Sequence, residues 1–273
     1  MKKRFTSITI ILLGCLFCIL LSSVSNSSEL TLGIANSTCA TMKKAGKIFT
    51  AKTNIKLKLL CQPSGLLAQG IIEGVLDVDY FLSANEKWMN DVVAAELINS
   101  ATIRKNWANK LVLASLPLKA DELKLQCLAD LNKSMVRQVL IGDPEIAPYG
   151  VYAKEALVNA GLWEKVQAKL KYNRKINMSV RTLKKYGLSR TGVVALIYQT
   201  NTIGSLLTHN VKGDLSTHFE VPQHLYARIN YFCAPLIKSR HKDELAQFCA
   251  FINSEEVKII FGSAGFIINP TTS

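Results

Sequence analysis

From residue 29 onward, short unbroken apolar runs alternate with stretches whose apolar positions recur every three or four residues. The first pattern reads as buried strand, the second as amphipathic helix. "ELTLGIA" (29–35) predicts a strand, followed by a helix from about Ser37 to Thr50 with Met42, Ala45 and Phe49 on one face. "IKLKLLC" (55–61) predicts the next strand, and "QPSGLLAQGIIEG" a helix with Leu67 and Ile71 on its core side. "DVDYFLSA" (77–84) is a third strand and "NEKWMNDVVAAELI" a helix. "KLVLAS" and "QVLIGDP" are further strands. The second runs into a loop punctuated by Pro144, Pro148 and Gly150. A helix follows, with Val151, Tyr152, Ala153, Ala156, Leu157 and Ala160 on its apolar face and Gly161 to end it. "VVALIY" (193–198) and "RINYFCAPLI" (228–237) are strands, and one helix over "KDELAQFCAFINSEEVKIIF" closes the chain.

Strands alternating with helices predict an α/β fold with mostly parallel sheets. In such sheets ligands collect where strands end and helices begin. That rule points to the helix starts at Ser37, Ser64 and Tyr149. None of them carries an acidic cluster or a histidine. Neutral donors beside helix N-termini are the composition of an oxyanion cradle.

The N-terminus changes the picture of where the chain works. "MKKR" precedes "FTSITIILLGCLFCILLSS" and then polar "VSNSSE". A charged start, an apolar core and small residues after it predict a secretory signal over residues 1–28, cleaved near Ser25–Ser28. The expected location is the periplasm. Two alternatives stay open: a lipoprotein acylated at Cys15 of "LLGC", or an uncleaved signal anchor.

The formal net charge is +13, of which Lys2, Lys3 and Arg4 supply three, leaving +10 (13 − 3). The basic residues lie in short scattered groups such as "RTLKKYGLSR" and "IKSRHK". A solvated basic surface explains them, and no nucleic-acid motif accompanies them. Five cysteines remain beyond the leader: Cys39, Cys61, Cys127, Cys233 and Cys249. An odd number leaves at least one thiol free, and none has zinc-site spacing.

Several segments occur together in one order: "ANSTCATM", "PSGLLAQGIIEGVLDVDYFLSANEKWM", "NKLVLASLP", "IGDPEIAPYGVYAKEALVNAGLW", "VRTL", "ALIYQTN" and "FGSAGF". In sequence and spacing they resemble the periplasmic molybdate-binding proteins of ABC importers, from about residue 30 to residue 266. The resemblance implies a type II periplasmic-binding-protein fold, two α/β lobes joined by crossover strands with a ligand cleft between them. Lobe one would be 29–110 plus 225–273, and lobe two 111–224. It implies an oxyanion held by the hydroxyls of Ser37, Ser64 and Tyr198 and by backbone N–H groups of Val180 and Tyr149. Tyr149 stands where a small residue is usual, so its ring would either lid the cleft or fill the ion's space. Pro63 and Asn85 also depart from the family pattern.

The implied ligand is molybdate or tungstate. The metal would be bound as its oxyanion with no direct coordination, and no cofactor is implied. Such dianions carry no proton at neutral pH and only accept hydrogen bonds, so a site of donors alone suits them. The implied partner is an ABC permease in the inner membrane, and the protein is expected to be a monomer. Cys39 and Cys61 flank the two serines on strands that would lie side by side, which makes them a candidate disulfide. Cys233 and Cys249 are a second candidate pair, which would leave Cys127 as the odd thiol. One rival reading is a diverged receptor of the same fold for another oxyanion or small solute, its pocket altered by Tyr149 and Pro63; another is a thiol enzyme using Cys39 or Cys61 at a helix start. Against the enzyme, His209, His218, His224 and His241 sit in no recognisable catalytic motif, and no enzyme activity is expected.

Overall fold

The computed structural model describes residues 28–116, 120, 122–174, 183, 192–203 and 215–268. The charged and apolar parts of the leader and Val180 lie outside these residues. Among the described residues, eleven strands form two sheets. In the first sheet the order is β11-β4-β10-β3-β1-β2. Here β1 is Glu29–Ala35, β2 Lys56–Gln62, β3 Tyr80–Ser83, β4 Arg104–Asn109, β10 Ile229–Pro235 and β11 Ile267–Ile268. In the second the order is β7-β6-β8-β5-β9, with β5 Leu111–Ser115, β6 Gln138–Gly142, β7 Leu170–Asn173, β8 Val193–Tyr198 and β9 Ser216–Glu220. Each sheet with its helices makes one α/β lobe.

Both sheets are mixed. β1 runs parallel to β2 and β3, and β6 parallel to β7 and β8. β10 is antiparallel to β3 and β4, and β5 is antiparallel to β8 and β9. The expectation of mostly parallel sheets is corrected here, and the chain path explains it. β4 and β5 are separated by Lys110 alone, so the chain leaves one sheet and enters the other almost without a loop. The return from β9 to β10 is the second crossing. The strands that carry the crossings run against their neighbours.

The helices that matter for the site are α1 (Cys39–Thr53), α2 (Ser64–Ile72), α3 (Glu86–Ala94) and α4 (Pro148–Asn159). Two more close the chain, α5 (Lys242–Ile252) and α6 (Glu255–Ser263). The single closing helix expected from periodicity is therefore two. Ser254 breaks it: its side chain accepts a hydrogen bond from the Val257 N–H, with Glu255 and Glu256 in the turn that follows. This is an N-cap, strong enough to restart a helix.

Strand periodicity places α1, α2, α3, α5 and α6 on the two faces of the first sheet, while α4 packs on the second. Along β3, Tyr80 and Leu82 enter the main core while Phe81 enters a second cluster. That cluster joins Leu67 and Ile71 of α2 to Trp88, Met89 and Val92 of α3. On the opposite face Phe49 of α1 packs against Phe248 of α5 with ring centroids 5.5 Å apart. Trp107 of β4 stacks on Phe261 of α6 at 3.9 Å. Buried on both faces, β1 and β3 read as continuous apolar runs.

Candidate functional site

Three helix starts converge between the lobes. β1 ends at Ala35 and a 3₁₀ turn over Asn36–Thr38 leads into α1. β2 ends at Gln62, and Pro63 turns the chain into α2 at Ser64. β6 ends at Gly142, and α4 begins at Pro148, one residue before the expected Tyr149. Proline at the first helical position needs no N–H partner there, which favours this earlier start. The seat of α4 depends on two glycines. A Cβ on Gly150 would lie 2.4 Å from the carbonyl of Gly142, and one on Gly142 2.5 Å from the Gly150 nitrogen.

A cavity of about 20 Å³ lies where these starts meet. A single water needs roughly 10–15 Å³ on this measure, so the space suits a compact ion. Its walls are Ala35, Asn36, Ser37, Pro63, Ser64 and Ala84 from the first lobe, and Ala147, Pro148, Tyr149, Arg174 and Tyr198 from the second.

The hydroxyl protons of both serines are left for a ligand. Ser37 Oγ accepts from the Tyr231 hydroxyl at 3.0 Å, and that hydroxyl in turn accepts from Asn109 Nδ2 at 3.1 Å. Ser64 Oγ accepts from the Ala84 N–H at 3.1 Å. A hydroxyl oxygen that is already accepting directs its own hydrogen elsewhere. The Tyr198 hydroxyl and Asn36 Nδ2 are buried with no partner among the described residues. Burial holds the Tyr198 phenol well above its ordinary pKa, with Tyr231 as the next cause. It stays protonated and is a donor.

The nearby carbonyls, by contrast, are occupied. Thr38 Oγ1 donates to Ala35 O at 2.8 Å, the Tyr152 hydroxyl to Ala84 O at 3.1 Å, and the Gly150 N–H to Ala147 O at 2.9 Å. Donors face the cavity while these acceptors are satisfied elsewhere. The lobes also touch directly: the Gly65 N–H donates to Ile146 O at 3.2 Å, beside the bond from Tyr152 to Ala84.

The structure thus brings Ser37, Ser64, Tyr149 and Tyr198 to one cavity. Val180 lies outside the described residues. Tyr149 does not swing out of the cleft. Its ring is buried, its hydroxyl donates to Asn173 O at 3.1 Å, and its edge meets the Tyr198 ring at 6.2 Å between centroids. Asn36 and Arg174 were missed. Asn36 sits at the strand end the ligand rule singled out, so its position was a usable signal. Arg174, one residue past a short exposed strand, gave none.

Cys39 and Cys61 are disulfide-bonded, with Cα atoms 5.8 Å apart. This removes both from thiol chemistry. Cys233 and Cys249 are free, as is Cys127, so the second candidate pair is not formed. Cys233 is buried, and burial pushes its thiol up to about 12, far from a nucleophile. Among the described residues no group of three or more His, Cys, Asp or Glu could hold a metal ion. No helix among them is long and apolar enough to cross a membrane.

Two α/β lobes with a donor-lined cavity at their strand ends define a type II periplasmic-binding-protein fold. The family model described as bacterial extracellular solute-binding protein matches residues 30–267, and the chain belongs to that family. It is 22% identical over 257 residues to the molybdate-binding protein ModA of Escherichia coli K12, covering 92% of this chain and 94% of that one. Its fold is similar to the periplasmic molybdate-binding protein of Azotobacter vinelandii, with TM-score 0.73, 18% identity, and 88% and 99% of the two chains covered. It is also similar to the sulfate-binding protein SubI of Mycobacterium tuberculosis, with TM-score 0.71, 12% identity, and 89% and 88% covered. These relatives are molybdate- and sulfate-binding proteins.

Proposed function

We propose that this protein captures molybdate or tungstate outside the cytoplasm and delivers it to an ABC-type permease in the inner membrane. The observation that carries the reading is the polarity of the cavity. Ser37 and Ser64 are each fed a donor from behind, Tyr198 is a buried donor with no partner among the described residues, and neighbouring carbonyls are already bonded. A tetrahedral dianion without protons is the complement of such a wall. Charge-assisted hydrogen bonds are roughly twice as strong as neutral ones, and each of the converging helix starts adds about half a positive charge.

In this reading Ser37, Ser64 and Tyr198 give hydroxyl donors, while Tyr149 and Val180 give backbone N–H groups. The lobes, 29–110 with 225–273 and 111–224, close around the ion by a hinge at the two crossings. The mature protein works as a periplasmic monomer after loss of residues 1–28, and it handles no nucleic acid. A second reading, a diverged receptor for another oxyanion, draws on Arg174. A formal cation on the wall suits sulfate equally well, and a sulfate-binding protein shares the fold. Calorimetric titration of the mature protein with molybdate, tungstate, sulfate and phosphate decides between them. Tight binding of the first two alone supports the leading reading. Sulfate or phosphate binding tightest supports the second, and no heat from any of the four ends both.

A further inference from the structure

Among the described residues, Arg174 is the one charged residue of the cavity wall. It is exposed, and among the described residues its side chain has no hydrogen bond or ion pair. Its backbone, by contrast, is held. The peptide joining Asn173 to Arg174 presents the Asn173 carbonyl to two donors, the Asp143 N–H at 3.0 Å and the Tyr149 hydroxyl at 3.1 Å. Both donors come from the segment that connects β6 to α4 and starts that helix. Asn173 also pairs with Gly142 at the end of β7. The loop that forms the second lobe's wall therefore fixes where Arg174 leaves the sheet.

We propose that Arg174 is a specificity-determining residue of this site and that Tyr149 is its positioning residue. The inference rests on the oxyanion reading above. A guanidinium presents parallel N–H donors in a planar fork that matches two oxygens of a tetrahedral anion. At a solvent-facing edge it also raises the local concentration of anions and speeds their capture. The neutral donors deeper in the cavity read geometry and protonation, and Arg174 reads charge. Tyr149 needs no ligand contact through its hydroxyl, because that hydroxyl is spent on the peptide before Arg174.

The test compares wild type with Arg174→Gln, Tyr149→Phe, the double variant, and Lys47→Gln on the exposed side of α1 as a charge control. Molybdate and sulfate affinities are measured by calorimetry from about 0.01 M to about 1 M salt, across which the Debye length falls from roughly 30 Å to 3 Å. Arg174→Gln should weaken binding about 10-fold or more at low salt and flatten the salt dependence. Tyr149→Phe should act in the same direction and more weakly, and should add nothing in the Arg174→Gln background. Lys47→Gln should change neither quantity. If Ser64→Ala weakens binding while Arg174→Gln keeps wild-type affinity and salt dependence, the inference is wrong and the oxyanion reading stands. If Tyr149→Phe weakens binding as much with glutamine at 174 as without, the positioning role is wrong. If wild type binds no oxyanion, both fall together.

Discussion

The two walls of the cavity are built by opposite means. The first lobe offers small residues on two adjacent strand ends, and a covalent bond between Cys39 and Cys61 ties those ends together. The second offers two tyrosines and an arginine, arranged by hydrogen bonds and ring contacts. Ser64 is fully buried and takes a backbone donor, so its position varies little. Arg174 is exposed one residue past a short edge strand, and its side chain is able to adjust to what arrives. A fixed wall sets the geometry of recognition. On the proposed reading, the adjustable wall supplies charge.

Four changes would break or sharpen that contrast, the largest effect first. Replacing Cys39 and Cys61 by alanine should cost about 3 kcal/mol of stability for a loop of this length, read by chemical denaturation. If the fixed wall matters for recognition, oxyanion affinity falls as well; unchanged affinity would show that strand pairing alone holds it. Next comes Ser64→Ala, expected to weaken oxyanion binding by about 2–3 kcal/mol, since a donor to a charged ligand is lost. Calorimetry reads this, and an effect confined to stability would remove Ser64 from the site.

Third, Tyr198→Phe should weaken ligand binding by about 2 kcal/mol while the unliganded protein keeps or gains stability. Its buried hydroxyl has no partner among the described residues, and removing such a group relieves a desolvation cost of about 1 kcal/mol or more. Thermal denaturation with and without molybdate separates the two signs. The smallest effect lies behind the second wall. Burial holds the His218 imidazole below its ordinary 6.5, with Ser115 Oγ 2.8 Å from its Nε2. Below that pH the unfolded chain binds a proton that the folded chain declines, so stability falls as pH falls. His218→Gln should flatten this loss between neutral pH and about pH 5 without changing oxyanion affinity at pH 7. A change in affinity would mean that the second wall is tied to its lobe more tightly than the contrast allows.

Much of this arrangement was legible in the sequence because it rests on local signals. "VVALIY" is fully buried on both faces and appears as the strand Val193–Tyr198, residue for residue. Ser37, Ser64 and Tyr149 were found by one rule about strand ends. The pairing of Cys39 with Cys61 followed from the expectation that β1 and β2 lie side by side. What stayed hidden depends on distant partners. β4 begins "RKN", with two exposed positions, and becomes a strand because β10 and β11 flank it. β7 and β9 are short and largely polar, and their sheet neighbours make them strands. The pose of Tyr149 was hidden for the same reason, since its hydroxyl partner lies 24 residues away.

The bond between Cys39 and Cys61 also works as an address. Thiols stay reduced in the cytosol, and structural disulfides form after export. A newly made chain therefore has its two serine-bearing strand ends joined only by β pairing. It gains its stapled wall once it reaches an oxidising compartment. On the proposed function, competence to hold the ion would then be acquired in transit, and an unexported precursor would be the weaker competitor for oxyanions that the cell has already taken in.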